Sequence, residues 1–490
     1  MYSSWWEPIC EAKFHPHSYG FRPNRGTKHA IARANFLINI NKLHYVVDID
    51  IKGFFENVNH AKLIKQLWTL GIRDKNLICV LSKLLKAPVE GMGKQNKGTP
   101  KGGIVSPLLS NIVLNEFDWW ISSQWETFET KKNYGKVRKN KSGGSYVDQS
   151  HKYRALRSTT LKEVYIVRYA DDFKLFCRDY KTAQKVFIAV KQWLKERLGL
   201  DISPEKSKVI NLRKNYSQFL GIMMKAKRKG NGYVTYSHIS DKARIKITNS
   251  LRERIKEVQK RPDVNSVGRL NATILGMQNY YKVATNVNID FSSIEFSISK
   301  ALYNRFRKLF TKDGLISKAY STYYKGYGRG PTFVRGIAMF PISGVKNEPP
   351  SMFIRDICNY TVRGRELINQ ALQQVDWYTL KYLMENPVRD QSVEYNDNRI
   401  SRYVAQKGLC QVMKTPLKIG FMHCHHKIPK VLGGTDAYSN LIFLDMNVHR
   451  LIHATDLETI NRYRHILNPN NKQLGEINKL RKLAGNIIIE

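Results

Sequence analysis

Nowhere do the 490 residues offer an apolar run approaching the roughly 18 needed to span a bilayer. Membrane embedding is excluded on that ground. Acidic residues are scarce, with 40 Asp plus Glu against 81 Lys plus Arg and a formal net charge of +41. Such self-repulsion is tolerated where a polyanion neutralises it, so nucleic acid is the leading partner and no membrane is expected. Cysteine is sparse too. Cys10, Cys79, Cys177, Cys358, Cys410 and Cys424 include no CxxC pair, and a reduced compartment fits best. The opening MYSSWWEPICEAKF couples no basic region to an apolar stretch, so no secretory signal is visible. An organelle (plastid or mitochondrion) or a bacterial cytoplasm is the expected location.

Apolar residues make up 42% of the chain and aromatics 11%, enough to bury real cores, and a length near 150 residues per domain suggests roughly three domains. LHYVVDIDI (43 to 51) and VYIVRY (164 to 169) read as strands among helical stretches, an α+β first half. Residues 129 to 158, polar and strongly basic, read as an exposed loop contacting nucleic acid. From about 236 to 385 the pattern is mostly helical, with Lys and Arg alternating against an apolar stripe. From 386 onward histidines accumulate around a GG turn. The expected divisions are therefore 1–235, 236–385 and 386–490.

Tyr169-Ala170-Asp171-Asp172 places two carboxylates at a tight turn between apolar strands. Alone, these four residues fit an ordinary polar turn equally well. Strand alternation puts Asp48 and Asp50 of YVVDIDIKGFFENVNH on one face, so either can meet the hairpin from a neighbouring strand. Two-metal phosphoryl transfer needs carboxylates from separate segments, holding ions about 4 Å apart. Mg²⁺ is the usual choice where phosphates also bind, and Asp50 and Asp171 supply such a pair.

DIKGFF (50 to 55), GTPKGGIVSPLLSNIVLNEFD (98 to 118), RYADDF (168 to 173), GLDISPEKSKV (199 to 209) and FLGI (219 to 222) resemble, in order, successive motifs of group II intron-encoded reverse transcriptases. WEPICEAKFHPHSYGFRPNRGTKHAI (6 to 31) resembles the fingers-to-palm segment of that family. The resemblance implies a right-hand polymerase palm with partial fingers over 1–235. In it Asp50, Asp171 and Asp172 hold two Mg²⁺ ions, and Phe55 is a steric gate that rejects a 2′-hydroxyl. Ile51, Lys52, Gly53, Phe54, Phe55, Lys101 and Gly102 would handle the incoming dNTP, Lys206 would protonate the departing pyrophosphate, and Phe219, Leu220 and Gly221 would form the primer grip. Lys101 stands where the family usually has Gln. The fingers motifs that clamp the triphosphate lie upstream of the matched segment in the family; a dimer or a complementing fingers segment would supply them here. LNATILGMQNYY (270 to 281) resembles the thumb and maturase region that grips intron RNA, through Asn271, Gly276, Tyr280 and Tyr281. Helix packing is the alternative reading for each of these.

Near the C-terminus come His425-His426, Asn440, and His449 with His453, the last pair four apart on one face of an expected helix. With the strand, GG turn and strand before them, these resemble an HNH nuclease in its ββα-metal form. By that resemblance His425, His449 and His453 bind one divalent ion, His426 is the general base, and Asn440 holds the loop that carries it. Family members commonly add two Cys knuckles that bind zinc. Here the corresponding positions read Cys410-Gln411-Val412-Met413 and Asp445-Met446-Asn447-Val448, and one thiolate does not make a zinc site, so no structural zinc is expected. The whole implies an enzyme that assists splicing of intron RNA, nicks a DNA target and copies the RNA from that end. The alternative is a maturase-only RNA-binding splicing factor with impaired polymerase.

Overall fold

β-branched and aromatic residues fill four short antiparallel strands: β1 (Tyr45–Ile49), β2 (Val164–Tyr169), β3 (Asp172–Cys177) and β4 (Lys208–Asn211). In this computed structural model they hydrogen-bond in the order β2-β3-β1-β4. The structure describes residues 3–87, 93, 96–99, 103, 105–139, 145–370 and 375–489. Five of the six β2 side chains are buried, because helix α1 (Ser106–Ser123) and the helix Thr27–Asn39 pack on that strand. The helix Tyr180–Trp193 covers β1 and β4.

Between β2 and β3 the chain reverses at Ala170, which takes a left-handed φ of 58°. The turn is braced from below. Arg168 is fully buried and donates from Nε and Nη2 to Asp118, at 2.7–3.0 Å, and from Nη1 to Asn111 Oδ1 (3.0 Å) and the Ala170 carbonyl (2.7 Å). Asn111 in turn donates to the Gly20 carbonyl at 2.8 Å. The N-terminal segment runs alongside β2, with the Tyr19 N–H donating to Arg168 O and the Arg168 N–H to His17 O. A Cβ at Gly20 would stand 2.2 Å from the Ala170 nitrogen, so the close approach demands glycine.

Three further strands, β5 (Ser217–Phe219), β6 (Ile222–Lys229) and β7 (Gly232–Ile239), make a second antiparallel sheet. Then come the long helices α2 (Asp241–Lys260), α3 (Val264–Tyr281) and α4 (Val287–Phe306). On α2 the buried residues Ala243, Ile247, Leu251, Ile255 and Val258 recur at helical spacing, leaving the basic residues outward. The 129–158 segment is more ordered than the loop expected from composition. Lys136–Lys139 pairs with Ser145–Asp148, and a helix over Ser150–Arg157 buries Leu156. Charge kept its strands exposed but did not prevent them pairing.

The chain divides into two compact units, Met1–Arg355 and Asp356–Glu490. One apolar core runs through the first unit from Trp6 to Val345, so the expected division at 235/236 falls within packed structure. The expected 385/386 division also falls inside a unit. Helix α5 (Trp377–Glu385) puts Leu380 and Leu383 into the second core, and Arg399 of α6 (Val393–Ala405) donates to the Leu383 carbonyl at 2.7 Å. The second unit also holds β8 (Met422–His426) antiparallel to β9 (Leu441–Asp445), followed by α7 (Met446–His453).

Removing one member of a buried ion pair leaves the other uncompensated, at about 3–5 kcal/mol. Asp118→Ala is expected to destabilise the first unit by that amount, read from its denaturation midpoint. A loss below about 1 kcal/mol, within the range of exposed pairs, would remove this bridge from the account of the hairpin.

Candidate functional site

Asp48 sits opposite Lys174 in the β1–β3 register. Its carboxylate accepts from Lys174 Nζ and from Ser217 Oγ at 3.3 Å. Asp50 lies just beyond β1, where its N–H donates to Ser207 Oγ (3.2 Å) and its carbonyl accepts from the Ser203 N–H (2.8 Å). The open choice between the two is thereby narrowed: Asp48 is ion-paired within the sheet, while Asp50 stays half exposed with the exposed Lys206 at 3.5 Å as its ion-pair partner among the described residues.

Asp50, Asp171, Asp172, Lys206, Leu220 and Gly221 line one cavity of about 580 Å³. Asp172 is held above the ordinary carboxylate range, first by desolvation and then by the Asp48 and Asp171 charges, against Lys174 and the Leu220 N–H. Carboxylates so clustered, with Lys174 3.7 Å from Asp172 as a partial counter-charge, offer the oxygen donors that a hard divalent cation takes.

Gly53 adopts φ 54° and starts the short helix Phe54–Asn57. Phe54 and Ile51 are buried, so their contribution to a nucleotide site is limited to backbone groups. Lys52 is exposed, and Phe55 is part-buried with its ring 5.2 Å from that of Phe54. Lys101 and Gly102 lie outside the described residues.

Phe219 is fully buried, whereas Leu220 (φ 53°) and Gly221 (φ 78°) form a two-residue hairpin turn between β5 and β6. Two successive left-handed residues match the twist of paired strands. Gly adopts that conformation freely and Leu does not. Neighbours secure the turn: Tyr280 Oη donates to the Leu220 carbonyl at 3.3 Å, and the Ser240 N–H to the Gly221 carbonyl at 2.9 Å. Tyr281 lies against Gly221. Asn271 is buried and clasps the chain at Ala338 and Phe340 through 2.9 and 2.8 Å bonds, and space beside Gly276 is open. The packing alternative therefore describes Asn271, Tyr280 and Tyr281 in this structure.

In the second unit, β8, β9 and α7 make a ββα arrangement. His423 and His425 alternate onto one face of β8. Side-chain nitrogens of His423, His425 and His449 all lie within 4.8 Å of one another. His453 is next to them, its ring 4.7 Å from that of His449 and 5.2 Å from that of His425. Desolvation, then the neighbouring imidazoles, holds His425 and His449 down to about 3, and lowers His423 for the same reasons. Neutral imidazole is the form that ligates metal. His425 Nε2 and His423 Nδ1 are buried with no hydrogen-bond partner among the described residues, so the cluster suits an ion.

His426 points to the other face of β8. Its Nε2 meets Asp436 Oδ1 at 2.8 Å and its ring stacks 5.3 Å from Tyr395. Despite desolvation, hydrogen bonds from Ser392, His426 and Lys430 hold the Asp436 carboxyl at about 2. Asn440 accepts from the Ile428 N–H (3.0 Å) and donates to the Ile428 and Thr435 carbonyls (3.0 and 2.9 Å), closing the intervening loop. Neither His423 nor Asp436 was among the residues expected from sequence. The i, i+2 spacing in HCHH carried the signal for the first; the second depends on loop closure. At the knuckle positions, Cys410 and Val448 are core residues, and Cys410 Sγ accepts the Asp445 N–H at 3.3 Å.

Residues 5–224 match the family model for reverse transcriptase (RNA-dependent DNA polymerase). Protein YkfC of Escherichia coli K12 is 32% identical over 254 residues, covering 49% of this chain and 63% of that protein. The group II intron-encoded protein LtrA of Lactococcus lactis subsp. cremoris is 26% identical over 381 residues, covering 66% and 62%. The putative COX1/OXI3 intron 2 protein of Saccharomyces cerevisiae is 26% identical, covering 57% and 38%. The matches thus span less than two thirds of each relative. Among solved structures, apo telomerase from Candida tropicalis aligns with a TM-score of 0.34 at 13% identity, covering 62% of this chain and 51% of that one. Among the described residues no helix is long and apolar enough to cross a membrane.

The depressed histidines make the metal-free second unit sensitive to acid. Below the ordinary value of 6.5 the unfolded chain binds protons that folded His425 and His449 refuse until about 3. Stability is therefore full above that ordinary value and falls steadily as pH drops through the window. Amide exchange in peptides from 422 to 453, corrected for intrinsic rates and run with chelator, is expected to lose protection across it. Unchanged protection down to about pH 4 would contradict the assigned neutral state.

Proposed function

With residues 5–224 as a reverse transcriptase domain, we propose that this chain, similar to group II intron-encoded proteins, copies intron RNA into DNA and helps that RNA to splice. The observation that carries the reading is the cleft lined by Asp50, Asp171 and Asp172, carboxylates from separate segments, with Asp48 in the same lining but paired to Lys174. Asp50 and Asp171 would hold Mg²⁺, with Asp172 supporting the hairpin; when bound, the ions supply the charge that activates a 3′-hydroxyl and stabilises departing pyrophosphate. Lys206, exposed beside Asp50, is placed to donate a proton to that pyrophosphate. Phe55 would exclude the 2′-hydroxyl of a ribonucleotide by steric clash. The Leu220-Gly221 turn would bring backbone groups against the primer. The outward basic residues of α2 would bind RNA phosphates in a salt-dependent manner.

For the second unit, we propose an HNH-type nuclease that nicks a DNA target and so supplies the primer end for intron mobility. His426, oriented by Asp436, would take the proton from the attacking water. The histidine cluster would hold the ion that stabilises the leaving oxygen.

Primer extension by the full chain on an RNA template tests the polymerase. Losing one metal-binding carboxylate removes several kcal/mol of transition-state stabilisation, so Asp171→Ala is expected to lower incorporation by about 10³-fold or more. No incorporation by folded wild-type protein would sink the copying activity and leave splicing assistance alone. In a nicking assay on supercoiled DNA, His426→Ala is expected to lose about 10²–10⁴-fold, with primer extension on the RNA template unchanged. Undiminished nicking would remove His426 as the base.

A further inference from the structure

Resting on the nuclease reading of the second unit, we propose that His423 is a ligand of its metal ion, and that the inner set is His423, His425 and His449 with His453 outside it. Strand geometry places His423 and His425 two residues apart on one face of β8. The α7 helix begins immediately after β9 and returns His449 over that face. Only these three of the four offer nitrogens that all lie within 4.8 Å of one another. The ring of His423 stands 3.9 Å from that of His449, and that of His449 5.2 Å from that of His425.

Unpartnered nitrogens point the same way. His423 Nδ1 and His425 Nε2 are both buried without a hydrogen bond among the described residues. Buried polar atoms are nearly always satisfied, and a shared cation satisfies both at once. Among the described residues no carboxylate joins the set. Three imidazoles favour borderline transition ions such as Zn²⁺, Co²⁺ or Ni²⁺ over Mg²⁺. The two units would therefore draw on different ions, oxygen donors taking Mg²⁺ and imidazoles taking a transition metal.

The test uses the full chain with Co²⁺ as probe, in excess Mg²⁺ so that the carboxylate cleft is occupied. A cysteine at a ligand position gives a thiolate-to-cobalt charge-transfer band in the near ultraviolet. His423→Cys is expected to show that band, and wild type and His453→Cys to lack it, Cys424 being present in all three. In parallel, His423→Ala is expected to weaken Co²⁺ binding by more than about 100-fold, beyond the range of outer-shell losses. His453→Ala is expected to stay within about 100-fold of wild type. Should the His423 variants misfold, the His453→Ala affinity decides: a loss within about 100-fold supports the set, and a larger drop overturns it. A band in His453→Cys, or a wild type that takes up no Co²⁺, also overturns it. A chain that shows the His423→Cys band yet nicks no DNA keeps this ligand set and loses only the nuclease reading.

Discussion

Arg168 and Asp118 meet 50 residues apart in sequence, and the geometry of the carboxylate cleft depends on that meeting. A buried ion pair repays its desolvation only when the remaining donors are also satisfied. Here the guanidinium forks onto both carboxylate oxygens and spends its other amine on Asn111 and the Ala170 carbonyl. The last contact matters most for function. Ala170 holds a left-handed backbone that costs an L-residue about 1–2 kcal/mol, and such a conformation persists only where its surroundings over-determine it. Arg168 from within the strand and Gly20 from the adjoining segment do so. With Ala170 fixed, Asp171 and Asp172 emerge at a defined place beside Asp50.

Much of this was legible in the residues. The apolar β-branched and aromatic runs in LHYVVDIDI and VYIVRY marked strands, and the ordered motifs lie largely within the segment that matches the reverse transcriptase model. Alternation alone left Asp48 and Asp50 open and the DIKGFF motif pointed to Asp50; the pairing of Asp48 was not legible, because it turns on Lys174, a cross-strand neighbour 126 residues away. Nor was the Arg168–Asp118 bridge, since neither residue announces a partner so distant. The 129–158 segment misled through composition: net positive charge marks exposure, but it does not forbid a local antiparallel pair. Division of the helical region was misjudged for a related reason. Amphipathic stripes show that a helix packs without showing which core it joins, and α5 joins the second.

In the C-terminal unit the reading of a ββα module followed from histidine spacing and the GG turn, while the ligand set required coordinates. Helical periodicity draws attention to His449 and His453, which lie four apart. Strand periodicity, with its shorter repeat, selects His423 and His425 just as firmly. A motif that crosses from strand to helix therefore has two competing geometries, and only the packing of α7 on β8 ranks them. The knuckle positions illustrate a different substitution. Where family members place knuckle cysteines, Cys410 and Val448 are core residues.

Tyr280 and Tyr281 connect the helical region to the chemistry of the cleft. Both match the thumb-region motif, for which helix packing is the alternative to RNA contact, and here Tyr280 caps the Leu220 carbonyl while Tyr281 lies against Gly221. The N–H of the same Leu220 reaches Asp172 and opposes the rise of its pKa. One left-handed turn thus shares its two backbone groups between helix α3 and a cleft carboxylate, so the packing of α3 and the setting of Asp172 depend on the same residue.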